Sequence, residues 1–146
     1  MTAADRRNED ELLRRLRADG QLLAGSYGLP LRSIGRTRRD ARLYGTCDAD
    51  GRIRIRLRSR TTGGFLKYSS LVATLCHELA HLRHFHHGPS FVRFYRELLE
   101  AARARGLYRP ASPAALRAAR APRAGPVRED LAASAPQRPR QLPLFW

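Results

Sequence analysis

The sequence predicts an α+β fold that consists of an N-terminal helix, a small antiparallel sheet, a helix with a histidine motif and a closing helix. Three observations predict it. Leucines recur with a helical period near the N-terminus, apolar and charged residues alternate over residues 52–58, and two further apolar stripes flank the Gly-Pro pair at residues 88–89. The chain has 146 residues, enough for one domain with a modest core. We expect this domain to span residues 1–108.

The first helix is expected from about residue 5 to residue 24. Its apolar stripe lies among charged residues and consists of Leu12, Leu13, Leu16, Leu22 and Leu23. The stripe is followed at once by residue types that end helices, namely Gly25, Gly28 and Pro30.

The next segment predicts a β-hairpin with one strand before it. The sequence Asp-Ala-Asp-Gly at residues 48–51 is a turn signal, and it separates residues 41–47 from residues 52–59. Residues 31–39 favour the additional strand. In the second arm of the hairpin the side chains alternate between two faces. One face carries Ile53, Ile55 and Leu57, and the other carries Arg52, Arg54, Arg56 and Arg58.

Two helices are expected after the sheet. The first runs from about residue 69 to residue 84 or 85. Gly88 and Pro89 interrupt the helical pattern, and Pro89 suits the first turn of a new helix because its missing N–H costs nothing there. This closing helix is expected to end before Gly106. The first of the two helices has a buried stripe that consists of Leu71, Leu75, Leu79 and Leu82.

The most informative motif is H-E-x-x-H, which spans residues 77–81. On a helix, His77 and His81 leave the same face and can bind one cation. Glu78 is adjacent to the first ligand and can take a proton from a water molecule. His87 can act as the third protein ligand, and Phe91, four residues later, can pack against the turn. Three protein ligands leave one coordination position open, which is typical of a catalytic zinc site.

The third ligand is the least determined part of this site. His87 is favoured, but His84 and His86 are close in sequence, and carboxylates on the closing helix, Glu97 and Glu100, are alternatives. Solvated or supporting roles are favoured for His84 and His86.

Several classes of protein are excluded. The longest apolar run, residues 71–76, is too short to cross a bilayer. The N-terminus is charged and has no apolar signal-peptide core, so we expect a cytoplasmic protein without a membrane partner. Cys47 and Cys76 do not make a disulfide framework. Metzincins have a glycine at the position of His84 and a downstream methionine turn, but the only methionine here is Met1.

The placement of the arginines, more than the net charge, favours a nucleic-acid partner. The formal net charge is +15, and arginine-rich basic proteins often bind phosphate backbones. The alternative is that genomic base composition raises the content of Arg and Ala together. We expect DNA to contact the alternating arginines of the hairpin, which stand about 7 Å apart along one face of a strand. The alternative is a solvated strand whose charges discourage edge pairing. The arginine row consists of Arg52, Arg54, Arg56 and Arg58.

The C-terminal segment predicts a tether that ends in a binding peptide. Residues 109–140 are rich in Ala, Arg and Pro and are expected to form a disordered linker. Residues 141–146, QLPLFW, are then mostly apolar. They resemble the bacterial sliding-clamp-binding pentapeptide, and this resemblance implies a clamp as partner. The matching residues are Gln141, Leu142, Leu144 and Phe145.

Two segments resemble known metallopeptidases. YGTCDADGRIRIRLRS, at residues 44–59, followed by LVATLCHELAHLRHFHHGPSF, at residues 71–91, is similar to the YgjP-like metallopeptidases. The H-G-P-x-F ending is also similar to the SprT and Spartan-type proteases and the related WLM group. The resemblance implies a minimal zinc-peptidase fold with zinc ligands and a general base. The implied ligands are His77, His81 and His87, and the implied base is Glu78.

The combined expectation is a zinc metallopeptidase that acts near DNA on DNA-bound or crosslinked proteins. A zinc hydrolase of nucleotides or other phosphorylated small molecules is a second hypothesis, since the arginine row could bind their phosphates. A non-catalytic adaptor for DNA and the sliding clamp is the third. The expected partners are therefore a protein or peptide substrate, DNA and a bacterial sliding clamp. The second donor to the reacting carbonyl oxygen is left open between Tyr95 and Tyr108.

Overall fold

The computed structural model describes residues 1–38 and 41–109. Its elements, in chain order, are α1 (Ala3–Ser26), β1 (Ser33–Arg36), β2 (Gly45–Cys47), β3 (Arg52–Ile55), α2 (Tyr68–His81) and α3 (Pro89–Ala104). Three helices and a small sheet confirm the predicted α+β class. The predicted linker and the predicted clamp peptide, residues 141–146, lie outside the described part of the chain.

The first helix, α1, begins with a capping box. The backbone N–H of Asp5 donates to the Thr2 hydroxyl at 3.0 Å, and the backbone N–H of Thr2 donates to the Asp5 carboxylate at 3.1 Å. These two bonds satisfy donors that a helix leaves unpaired at its N-terminus. The capping box therefore starts α1 at Ala3, earlier than the predicted start at about residue 5.

The sheet has the strand order β1-β3-β2. The predicted hairpin is present, because β2 and β3 pair antiparallel with Cys47 opposite Ile53. The Asp48 carboxylate closes the turn by accepting from the backbone N–H groups of Asp50 and Arg52. The turn therefore uses the residue types that the sequence signal relies on.

The remaining strand pair corrects the predicted antiparallel sheet. Strand β1 pairs parallel with β3, with Ile34 beside Ile53, so the sheet is mixed. The turn residue Gly51 accepts from the backbone N–H groups of Arg32 and Ser33, which places β1 on the free edge of β3. Alternation along a strand shows which side chains are buried but does not show which neighbour pairs in which direction, so the sequence could not give this detail.

The core lies between the inner face of the sheet and the helices. Ile53 and Ile55 are fully buried and contact the same core as the leucine stripe of α2, whereas Arg52 and Arg54 lie on the outer, exposed face. The two cysteines are free, with Cys76 buried and Cys47 half-buried. No helix within the described residues is long and apolar enough to span a bilayer.

The helix α2 is shorter than predicted. It ends at His81, and the backbone N–H groups of Arg83 and His84 close its last turn by donating to the Ala80 carbonyl. Gly88 is the extended N-cap of α3, and Pro89 begins that helix as expected. The histidine-rich segment after His81 therefore forms the connection between α2 and α3.

Candidate metal centre

Three histidines converge where α2 meets the start of α3. His77 and His81 lie on α2, and His87 lies in the connection just before Gly88. One ring nitrogen from each lies within 4.8 Å of the other two, and the Nε2 atoms of His81 and His87 are 2.9 Å apart. Three imidazole nitrogens that point at one place form a donor set that suits zinc.

His81 is oriented by the segment that follows its helix. Its Nδ1 lies 3.1 Å from the backbone carbonyl oxygen of His84 and donates to it, so its Nε2 faces the cluster. Burial lowers the pKa of His81 to about 4, so the ring is neutral near pH 7. A neutral imidazole with one nitrogen fixed by a carbonyl presents the other lone pair to a metal ion.

Phe91 packs against all three imidazoles. Its ring centroid lies 4.9 Å from that of His77, 4.6 Å from that of His81 and 4.8 Å from that of His87. The side chain is buried in the first turn of α3. Because one rigid ring contacts the whole cluster, the packing of α3 holds His87 beside the two histidines of α2.

Glu78 is a buried carboxyl group on the same helix. Its exposed fraction is 5 %, and within residues 1–38 and 41–109 no hydrogen bond or ion pair to it is found. Burial raises the pKa of Glu78 to about 8. A buried carboxyl group without a partner is costly for stability, and such groups are concentrated at functional sites.

The alternative third ligands are not part of the cluster. Among the described residues, His77, His81 and His87 form the one group of acidic or metal-ligating side chains that could hold an ion. The His84 ring instead faces Phe94, with ring centroids 5.8 Å apart, and the exposed His86 faces Phe85. The carboxylates on α3 are exposed, and Glu100 is paired with Arg103 at 3.6 Å.

The WLM domain family matches this chain over residues 37–112, a stretch that contains the histidine cluster and Glu78. The chain belongs to the WLM domain family. Among curated proteins, no sequence matches the chain significantly. This family is part of the SprT-like metallopeptidase group. The motif helix of this chain and its H-G-P-x-F ending resemble the same group.

Solved structures of Wss1 share the fold of this WLM domain. Wss1 from S. pombe is 32% identical and has a TM-score of 0.56, and the match covers 68% of this chain and 83% of that chain. A mutant of Wss1 from Saccharomyces cerevisiae is 25% identical and has a TM-score of 0.60, and that match covers 70% of this chain and 86% of that chain. The similarity therefore extends well beyond the motif helix.

The four arginines of the predicted row in this WLM domain differ in their position relative to strand β3. Strand β3 ends at Ile55, so Arg56 and Arg58 lie beyond it. Arg56 is half-buried and donates to the carbonyl oxygens of Arg58 and Ala41 at 2.8 and 2.9 Å. The guanidinium of Arg56 therefore stabilises the loops around the sheet. Binding of nucleic acid by Arg52, Arg54, Arg56 and Arg58 stays a prediction, and the structure shows that these four side chains differ in exposure.

The other three arginines of the row differ from one another. Arg58 pairs with the buried Glu9 at 3.1 Å and stacks on Phe65. Arg52 pairs with Asp50 at 3.0 Å. Arg54 is exposed on the outer face of the central strand, and the described part of the chain offers it no ion pair. Because β3 is the central strand, protection of a sheet edge does not explain its arginines.

Sequence reasoning missed two features of this site. Glu9 is a buried carboxylate that binds Arg36 at 2.8 Å as well as Arg58, although it lies within a charged stretch of α1. Gly45 of β2 faces Glu78 of α2, and a Cβ atom at residue 45 would lie 2.8 Å from the Glu78 carboxylate. The signal for Glu9 was its place on the helical stripe with Leu13 and Leu16. The contact of Gly45 depends on tertiary packing and left no signal.

Proposed function

We propose that this WLM domain is a zinc-dependent peptidase whose ligands are His77, His81 and His87. The observation that carries the proposal is the convergence of their ring nitrogens within 4.8 Å. Three histidine nitrogen donors with an open fourth position are the ligand set of catalytic rather than structural zinc sites. A zinc ion held there would polarise the carbonyl of a bound peptide and lower the pKa of a water molecule.

Glu78 is the proposed general base. It accepts a proton from the attacking water and returns it to the nitrogen of the leaving amine. Its buried position, next to His77 in the sequence and without a competing partner among the described residues, supports this role. Burial makes the carboxylate a stronger base than it would be in water.

Tyr95 is the proposed second donor to the reacting carbonyl oxygen. It lies one turn after Phe91 on α3, and its ring centroid is 5.7 Å from that of His77. Both rings therefore face the cluster from the same side of the helix. Tyr108, the other candidate, follows the end of α3 and is half-buried against the core. The position of Tyr95 beside a ligand favours it over Tyr108.

The proposed substrates are proteins bound or crosslinked to DNA. The net charge of +15 favours DNA, and the likeness to Spartan-type proteases and to Wss1 supports a protease that works there. The hypothesis of a nucleotide hydrolase is weakened, because two of the four arginines that could bind its phosphates, Arg56 and Arg58, are held by internal contacts.

The C-terminal residues 141–146 are the proposed clamp-binding peptide. Their sequence is the support for this role, because they lie outside the described residues. Removal of residues 141–146 is expected to abolish binding to a purified bacterial sliding clamp and to leave zinc content unchanged. Full clamp affinity in the truncated chain would contradict this part of the proposal.

The proposal is tested by incubating the zinc-loaded chain with a DNA-binding protein, with and without single-stranded DNA. We expect cleavage that DNA stimulates and that a zinc chelator abolishes. A zinc-loaded chain that hydrolyses nucleotides but cleaves no protein would favour the second hypothesis. A zinc-loaded chain without either activity that still binds DNA and the clamp would favour the adaptor.

A further inference from the structure

We propose that Gly45 is a positioning residue for the Glu78 carboxylate, an inference that rests on the peptidase function proposed above. Gly45 lies on β2 opposite Ile55, on the face of the sheet that packs against the helices. A Cβ atom at this position would lie 2.8 Å from Oε2 and 3.0 Å from Cγ of Glu78. The Glu78 side chain therefore occupies the space that a side chain at residue 45 would need.

A second side chain closes the same space. The added Cβ would lie 2.7 Å from Cγ2 of Thr74, which is one helical turn before Glu78 on α2. Threonine is branched at Cβ and stiff at χ1, whereas the carboxylate is the far end of a flexible side chain. When a methyl group enters at residue 45, the Glu78 carboxylate is therefore the group that gives way.

The backbone at Gly45 does not itself require glycine. The glycines with positive φ in the described part of the chain are Gly28, Gly51, Gly63 and Gly106, and Gly45 is not among them. Alanine can therefore adopt its strand conformation without strain. The effect of Gly45→Ala is therefore confined to what the new methyl group contacts, namely Thr74 and Glu78.

The matched control is Gly35→Ala. Gly35 also lies in a strand of the same sheet, but it pairs with Arg54 on the outer side, and a Cβ there would meet nothing within 4 Å. We expect Gly35→Ala to keep wild-type turnover. For Gly45→Ala we expect kcat to fall by a factor on the order of 100, since a misplacement of about 1 Å has that effect. KM for a peptide substrate and zinc affinity should stay at their wild-type values.

A crystal structure of Gly45→Ala provides a readout that is independent of activity. We expect the Glu78 carboxylate to lie at ordinary contact distance, 3.4 Å or more, from the new methyl group, with the three histidines unmoved. A carboxylate that keeps its wild-type position would overturn the proposal. If the wild-type chain cleaves no peptide, the proposed function fails, and the crystal comparison alone decides whether Gly45 positions Glu78.

The double variant Gly45→Ala/Thr74→Ser separates positioning from general damage to the fold. Serine lacks Cγ2, so the contact with Thr74 is relieved and the contact with Glu78 remains. We expect the thermal midpoint to return toward that of the wild type while kcat stays low. Wild-type kcat in Gly45→Ala, or recovery of kcat in the double variant, would show that Gly45 does not act through Glu78.

Discussion

At the scale of single residues, most of the candidate site could be predicted from the spacing of the histidines in the sequence. His77, Glu78 and His81 share one helix, so their relative positions follow from helical geometry. His87 was one of several options in the sequence, and the structure separates it from His84 because α2 ends at His81. The contact between Gly45 and Glu78 joins two elements, and no pattern within either element predicts it.

The ligand role of His87 predicts a difference between two neighbouring histidines. His87→Ala should lower zinc affinity by more than the roughly 10–100-fold that is typical when a supporting partner of a ligand is lost. His84→Ala should have little effect, because His84 contacts His81 through its backbone carbonyl, which alanine keeps. Competition with a chromogenic chelator measures both affinities. Equal affinities in the two variants would remove His87 from the ligand set.

The role of Tyr95 predicts a loss of turnover without a loss of zinc. Tyr95→Phe keeps the ring that packs beside His77 and Phe91 but removes the hydroxyl. We expect kcat for a peptide substrate to fall about 100-fold or more, as when one donor to a reacting oxygen is removed, at unchanged zinc content. Tyr108→Phe is the comparison. If Tyr108→Phe lost turnover and Tyr95→Phe kept it, the two assignments would be exchanged.

At the scale of elements, the sequence predicted the type and order of the helices and strands and the pairing of the hairpin, but not the pairing of β1 or the end of α2. The hairpin was predictable because its turn and its alternation are local. The parallel pairing of β1 with β3 depends on contacts between Gly51 and the start of β1, which are distant in sequence. Likewise, α2 ends early because the carbonyl of Ala80 in its last turn accepts hydrogen bonds from the backbone N–H groups of Arg83 and His84 in the connection.

The packing of α3 against α2 predicts a structural role for Phe91. Its buried ring contacts all three histidines, so Phe91→Ala should lower the free energy of unfolding by about 3–5 kcal/mol. Urea unfolding of the zinc-free chain measures this value without a contribution from metal binding. The matched control is Val92→Ala at the next, exposed position, where a change within about 0.5 kcal/mol is expected. Similar values for both variants would contradict the structural role of Phe91.

At the scale of the whole molecule, some arginines are held by internal contacts and others are exposed to solvent. The net charge of +15 suggests a general affinity for DNA. However, Arg56 and Arg58 are held by contacts within the fold, and the charge of Arg52 is partly neutralised by Asp50 in the adjacent turn. The sequence could not reveal this because burial and ion pairing of an arginine depend on distant partners such as Glu9. The exposed Arg54 is therefore the member of the predicted row that is best placed to contact phosphate.

This assignment predicts that one arginine variant weakens DNA binding and that another lowers stability. Arg54→Ala should weaken binding to single-stranded DNA and reduce the salt dependence of log K by about one phosphate contact, with no change in unfolding. Arg58→Ala should lower stability, because it leaves the buried Glu9 with fewer partners. Fluorescence anisotropy across a salt series and thermal unfolding measure the two effects. An unchanged salt slope in Arg54→Ala would remove that residue from the DNA surface.

The central claim, that the histidine cluster holds the metal and Glu78 performs proton transfer, is tested most directly by Glu78→Gln. Zinc content and cleavage of a peptide or DNA-bound protein substrate are measured on the same preparation. We predict one zinc per chain in both the wild type and Glu78→Gln, together with complete loss of cleavage in the variant. Glutamine keeps the size of the side chain but cannot accept the proton. Wild-type cleavage by zinc-loaded Glu78→Gln would contradict the account.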